Sequence, residues 1–518
     1  CGTGVGFSVE SQYIGQMPLV KRQTGAGRGV FVVEDSREGW ADALYAGLDA
    51  WFSGEDIEFD FSQIRKRGTR LKKMGGRAGG PGPLMEMLKG TRQLVLSAQG
   101  RRLTDLEWQD LANVIADVVV VGGIRRASEI AFSDIFSVAI RDAKTGMFPV
   151  YRRNSNNSAA YFNKPTMVEF MAEWAALAKS GTGERGIFNL AAVEKRLPKR
   201  RTFSPDIRTN PCGEILLRPF QFCNLTEVVV RSGDEFDDLV QKVEVAVWLG
   251  AMQSCLTKFP YIRDEFRKNC EAERLLGVSL SGQLDNPRLL TEDRLGDLKK
   301  YALKVARRAC EALGISMSVA VTTGKPSGTL SQLVNCSSGM HARHSPYWIR
   351  RYREAATSPI YLMMRDQGVK FYPEVGQEHL PAEKVTTWVF EVPCAAPKGA
   401  ITRDQVTAIE QLEWYLKMQK HWCEHNQSCT IYVRDDEWLK VGAWVYDHWD
   451  DVVGVAFLPY DGGVYKLAPY EEISKEEYER RAKEFPAIDW SQLSRFEVED
   501  TTVGAQTYAC TGDKCELT

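Results

Sequence analysis

Asn210-Pro211-Cys212-Gly213-Glu214 sets a carboxamide, a thiol and a carboxylate within five residues, and a second thiol, Cys223, follows eleven residues after the first. Pro211 fixes φ and Gly213 frees it, so neither suits the interior of a helix or strand. The three side chains are therefore expected on a tight loop presented to a ligand. A thiol can serve as nucleophile, metal ligand or redox centre. Glu214 suits a general base for a hydroxyl proton. Asn210 can hold a second hydroxyl by donating or accepting a hydrogen bond. Cys223 can supply a proton and an electron and end in a disulfide. The pattern suits redox or radical chemistry on a hydroxylated substrate. A buried turn with a structural cysteine is the alternative, and residue chemistry alone leaves both open.

Other candidate residues lie elsewhere. Pro326-Ser327-Gly328-Thr329 is small and hydroxyl-rich, as a phosphate cradle or a plain turn would be. Gly122-Gly123-Ile124-Arg125-Arg126 reads as a flexible loop carrying two cations. Cys510 and Cys515, with four residues between them, sit in a polar stretch from about Glu497 to Thr518 that has no core pattern. That stretch is expected to be a mobile tail. His421 and His425 stand four apart on an expected helix, as a zinc pair would, but no metal site is assigned.

The elements that must position these residues follow from periodicity. Amphipathic helices are expected over about Thr166–Lys179, Glu235–Cys255, Glu292–Leu313 and Arg403–His425. Short apolar runs at Val118–Val121, Leu276–Leu280, Ile315–Val321 and Cys429–Val433 read as strands, and Asn154–Ser158 as a polar turn. Strands alternating with helices indicate an α/β architecture around a largely parallel sheet or barrel. The basic stretch Lys195–Arg208 reads as a connector into the Cys212 loop.

The composition is that of a globular protein. The 518 residues are 44% apolar and 26% charged, with a formal net charge of −2, which gives no bulk attraction to nucleic acid or membrane. No apolar stretch is long enough to span a bilayer. The start shows no signal-peptide pattern. Twelve cysteines in a chain of this size argue against a disulfide framework, and Cys255, Cys270, Cys310 and Cys336 are expected to be buried thiols.

Asn210–Leu217 with Cys223-Asn-Leu resembles the active-site signature of ribonucleotide reductases. Gly4–Val9, Gly122–Arg126, Ser155–Ser158, Gly277–Gly282, Lys325–Thr329, Gly339–His341 and Ser428–Ile431 agree in order. The chain looks most similar to the adenosylcobalamin-dependent ribonucleoside-triphosphate reductases (class II). It has no Tyr-Tyr pair of the kind through which class I subunits relay a radical.

The resemblance implies an α/β barrel of two parallel half-barrels with a central finger loop, over residues 1–496 and N-terminally truncated, followed by a redox tail at 497–518. It implies adenosylcobalamin as cofactor, a ribonucleoside triphosphate as substrate, a deoxynucleotide effector, a thioredoxin-type reductant and a cytoplasmic location. Carried over residue by residue, Cys212 becomes the thiyl radical, Glu214 takes the 3′-hydroxyl proton and Asn210 holds the substrate hydroxyls. Cys223 is one of two reducing thiols, and Cys510 and Cys515 shuttle electrons. Pro326, Ser327, Gly328 and Thr329 bind substrate phosphates. Gly122, Gly123, Arg125 and Arg126 form the specificity loop.

Two departures accompany the likeness. The family's region before Gly4, which holds the redox partner of Cys223, is expected on a missing N-terminal part; Cys1 would suit the residue that follows an intein. The stretch between Val9 and Asp35 is short beside monomeric members. The alternatives are a class I-like large subunit with a separate radical-generating partner, and an inactive nucleotide-binding fragment.

Overall fold

The computed structural model describes residues 4–69, 78–118, 120–121, 125–126, 128–460 and 469–496. The chain forms two compact units, one of residues 1–156, 347–394 and 463–518, the other of residues 157–346 and 395–462.

The second unit is built on parallel strands. Asn224–Val229 runs beside Leu276–Ser281 with Asn224 opposite Leu276 and Val229 opposite Ser281. Leu276–Ser281 is buried along its whole length, as a strand covered on both faces should be. A parallel bridge joins Val278 to Thr322, and a second joins Gly324 to Gln427. The chain from Gln427 continues into Thr430–Val433, which lies parallel to Gly454–Pro459. Gly454–Pro459 then meets Gly186–Asn189 antiparallel, and Gly186–Asn189 is parallel to Ser155–Tyr161. Two parallel arrays are thus joined along one antiparallel seam.

Helices connect and cover the strands, because parallel neighbours need long crossovers. Phe236–Ser254 and Glu292–Ala312 pack Leu239, Val243, Val247, Leu295, Leu298 and Val305 against Val228, Val278 and Leu280. Each such fully buried side chain stabilises the fold by about 1.5–3 kcal/mol relative to exposure. Glu292–Ala312 begins where Thr291 accepts from the Arg294 N–H and carries Glu292 and Asp293 in its first turn, a favourable charge for a helix start.

Met167–Ser180, Phe236–Ser254 and Glu292–Ala312 match the expected helices to about a residue. The fourth is shorter, Ala408–His421. Thr407 and Glu410 form a capping box there, while Arg403–Gln405 is a separate 3-10 turn. Other expectations need correction. Ile315–Val321 forms no strand; only its end meets the sheet, where the Ala320 and Val321 carbonyls accept from the Leu276 and Val278 N–H groups next to the bridge at Thr322. Asn154 closes a 3-10 turn and Ser155–Tyr161 is a strand, not a polar turn. Cys255 is exposed just beyond the end of its helix, whereas Cys270, Cys310 and Cys336 are buried.

In the first unit, Val5–Ser8 runs parallel to Glu129–Asp134, and Gly27–Val32 runs parallel to Asp56–Asp60. Arg37–Ser53, Gly82–Ser97 and Asp105–Asp117 share a core that includes Trp51, Leu84, Leu88 and Leu111. Phe371–Pro373, Thr387–Ala395, Tyr347–Ala355 and Tyr470–Glu472 form a four-stranded sheet in that order. The expected strand at Val118–Val121 shrinks to Val120–Val121, paired antiparallel with Arg125–Arg126, because the preceding helix runs to Asp117. Among the described residues, no helix is long and apolar enough to cross a membrane.

Candidate active site

The Asn210–Glu214 loop lies in the second unit and is held by its backbone. Three successive carbonyls are gripped from two neighbouring extended segments. The Ser428 hydroxyl donates to the Cys212 carbonyl. The Asn426 amide donates to the Gly213 carbonyl at 2.9 Å. The Glu214 carbonyl accepts from the Thr323 hydroxyl at 2.6 Å and from the Asn426 N–H at 3.1 Å. Within the loop, the Gly213 N–H donates to the Asn210 carbonyl at 2.9 Å. Gly213 has φ +80, a conformation that glycine adopts without strain.

Beyond Glu214 the loop is anchored by packing. Ile215 is fully buried and fills the space over Gly277, where an added Cβ would come within 2.7 Å of the Ile215 Cδ1 and of the Leu225 Cδ2. His425 bolts the next residue down: its Nδ1 accepts from the Leu216 N–H at 3.3 Å and its Nε2 donates to the Leu276 carbonyl at 3.0 Å. The connector before the loop is held by ion pairs. Glu273, itself buried, accepts from Arg201 at 2.9 Å and from Gln221 at 2.8 Å and stands 3.0 Å from Arg218 as an ion pair; Arg200 pairs with Glu424.

Cys212 is exposed and Glu214 is 1% exposed, so the loop presents its thiol and sinks its carboxylate. The Asn210 side-chain oxygen accepts from the Ile215 N–H at 2.9 Å. The Glu214 Oε2 has no hydrogen-bond partner among the described residues. Burial raises the Glu214 carboxyl above the usual carboxylate range; Asn210 and Lys325 act against that rise, and Glu227 adds to it. Burial likewise raises the Cys223 thiol well above its ordinary range, with Glu214 and Cys270 adding to the rise and Lys325 opposing it. A carboxyl poised upward beside an exposed thiol suits proton exchange with a substrate hydroxyl.

Asn210, Cys212, Glu214, Cys223 and the Pro326–Thr329 turn all fall in this unit. Ser327 is fully buried and donates its hydroxyl to Glu227, so that hydroxyl is already committed. The side chain of Thr329 lies outside the described residues. So do Gly122 and Gly123, the side chains of Arg125 and Arg126, and Cys510 and Cys515 with the whole of 497–518.

The His421–His425 pair does not converge. His421 faces Glu292 at 3.5 Å, while both His425 nitrogens are engaged by backbone groups. Residue type alone marks out no role for Glu227, Thr323, Lys325, Asn426 and Ser428. Alternation along Cys223-x-Leu225-x-Glu227 and Thr323-x-Lys325 is the signal that places three of them on the loop's side.

The site is a loop-borne thiol and a buried carboxylate held against parallel strands. Residues 10–95 match the family described as B12-dependent ribonucleotide reductase, insertion domain. The chain is 30% identical to an adenosylcobalamin-dependent ribonucleoside-triphosphate reductase of Euglena gracilis, over 94% of this chain and 66% of that protein. It is 28% identical to the protein of the same description from Levilactobacillus brevis, over 94% and 74%. A crystal structure of a B12-dependent (class II) ribonucleotide reductase superposes with a TM-score of 0.80 at 25% identity, covering 96% of this chain and 78% of that one. The fold is therefore the ribonucleotide-reductase α/β barrel. The chain belongs to the class II, B12-dependent ribonucleotide reductase family.

Proposed function

We propose that this chain reduces ribonucleoside triphosphates to 2′-deoxyribonucleotides by a thiyl-radical mechanism with adenosylcobalamin. The carrying observation is the exposed Cys212 beside the buried Glu214 on a loop clamped at three successive carbonyls. The exposure of Cys212 fits a thiol that must be met by an external radical source. Bound adenosylcobalamin supplies that radical through its homolysable carbon–cobalt bond. The Cys212 sulfur then takes the 3′ hydrogen atom of the ribose, and Glu214 accepts the 3′-hydroxyl proton. Asn210 orients the substrate hydroxyls. The 2′-hydroxyl leaves as water with a proton from the reducing thiols. Cys223 and its partner thiol give up two electrons and form a disulfide, and Cys212 returns the hydrogen atom to C3′. The net change is ribonucleotide plus dithiol to deoxyribonucleotide, water and disulfide.

Further assignments rest on the family likeness. Pro326, Ser327, Gly328 and Thr329 meet the substrate phosphates, through the backbone N–H groups of the turn where Ser327 is concerned, since its hydroxyl is held by Glu227. Gly122, Gly123, Arg125 and Arg126 respond to a deoxynucleotide effector. Cys510 and Cys515 pass electrons from a thioredoxin-type reductant. The part of the relatives outside the matched span is needed by the working enzyme, within one polypeptide or as a second.

The test is turnover of ribonucleoside triphosphates with adenosylcobalamin and a dithiol, with the remaining part of the enzyme present. Cys212→Ser should abolish product formation, and normal turnover by that variant would overturn the mechanism.

A further inference from the structure

The helix Phe236–Ser254 is apolar on its outer side as well as its inner one. The inner side buries Leu239, Val243, Ala246 and Val247 against the strands. The outer side carries Val245, Leu249 and Met252, with Leu256 just past the helix end; they are 59%, 56%, 50% and 73% exposed. The Cys255 N–H donates to the Met252 carbonyl and the Leu256 N–H to the Gln253 carbonyl, so the last turn runs on to Leu256. The four residues stand four, three and four apart, the spacing that keeps side chains in one row on a helix and makes the seam of a coiled coil. A shallow groove lined by Gln241, Glu244, Val245, Trp248 and Leu249 runs beside the row.

The neighbouring helix Glu292–Ala312, packed on the same core, shows what a solvated outer side looks like. Its exposed positions include Asp293, Asp297, Lys300, Lys304, Arg307 and Arg308, all charged. At the joint between the two helices Glu244 accepts from Tyr301 and Arg308. Single apolar residues on a surface need no explanation, but a helix that is apolar all round is one that expects cover on both sides.

Charge along the row points to what covers it. Asp237 and Asp238 are exposed in the first turn, and Lys258 and Arg263 are exposed beyond the other end. Arg263 rests over the Phe220 ring at 5.1 Å, while the acid next to it, Asp264, is taken up by Arg267 and Lys268. The four-three-four spacing reads the same from either end. A second helix of this sequence, laid antiparallel about a two-fold axis between Leu249 and Met252, sets Leu249 against Met252 and Val245 against Leu256. The same placement brings the acidic end of each helix to the basic end of the other. A parallel pair would set acid against acid and base against base.

We propose that the outer face of Phe236–Ser254 is a self-association surface whose occupant is the same face of a second copy of this chain, antiparallel and related by a two-fold axis. A row of this length belongs with the smaller specific interfaces, below about 1,200 Å² in total, so the dimer should form with a midpoint on the order of 10 µM.

Sedimentation velocity of the full chain, up to about 100 µM or ten times that midpoint, provides the test. The 58.3 kDa chain should pass to a species of twice that mass as concentration rises. Leu249→Glu puts a charge at the centre of both facing rows and should hold the chain monomeric throughout, with its thermal unfolding midpoint unchanged because the site is exposed in the single chain. Asp237→Lys and Arg263→Glu should each weaken the dimer by about three- to tenfold, and the two together should restore it. A chain that stays monomeric at the highest concentration, a dimer indifferent to Leu249→Glu, or a double charge variant no tighter than the single ones overturns the proposal. If Leu249→Glu fails to fold, the loss and recovery across the charge variants decides.

Discussion

His425 shows how one side chain joins the active loop to the sheet. Both ring nitrogens are used, one accepting from Leu216 and one donating to Leu276, so the ring must be neutral. Burial pushes its pKa down to about 3, helped by the nearby charges of Arg201 and Arg200. The unfolded chain, with an ordinary histidine near 6.5, binds the proton first. Stability therefore falls as pH drops below about 6.5 and goes on falling until about 3, by about 1.4 kcal/mol per pH unit where only the unfolded form is protonated. His344, lowered to about 4 by burial, adds in the same direction. Urea unfolding between pH 7 and 5 should show this slope, and His425→Gln should flatten it whatever its effect at pH 7. At this same scale the residue types of the loop were legible: Asn210, Cys212 and Glu214 could be named before any coordinates. Their division of labour was not. Exposure of Cys212 and burial of Glu214 depend on what lies beneath the loop, and Gly277, which makes room for Ile215, carries no mark of that use in its own neighbourhood.

Among the elements, the helices were read well because a 3.6-residue apolar repeat is written locally. Glu292–Ala312 buries Leu295, Leu298, Ala302, Val305, Ala306 and Ala309, and that spacing is visible before folding. The strands were read less well. Ile315–Val321 is apolar enough for one, yet a strand exists only through its neighbours, and that stretch meets the sheet just at its end, through the Ala320 and Val321 carbonyls. The basic connector before the loop had been assigned no structure beyond linking. It is instead riveted by Glu273, which takes Arg201, Arg218 and Gln221 together. Arg201 and Glu273 side chains are 0% and 4% exposed, so removing the anion leaves a buried guanidinium uncompensated. Glu273→Ala should lower stability by about 3–5 kcal/mol in equilibrium denaturation. Turnover should also fall because the Cys212 loop loses its approach segment.

For the whole molecule, the family explains why the motifs recur in order along nearly the entire chain, but the parts it implies differ in visibility. The match of residues 10–95 to an insertion domain was not read from the sequence, where only the short stretch after Val9 drew notice. The redox role proposed for Cys510 and Cys515 would be a property of the complete enzyme with its reductant. Cys510→Ser should spare turnover with a small dithiol and impair it with a thioredoxin-type protein; equal loss with both would remove the shuttle assignment. Taken by itself, the sequence determined the reactive groups, the amphipathic helices and the family, because each is written in residue type and short-range spacing. Only the tertiary structure decided which groups share a field. Lys325 stands 3.5 Å from Glu227 because strands distant in sequence fall into register, and charge acts across that register through a poorly screening interior.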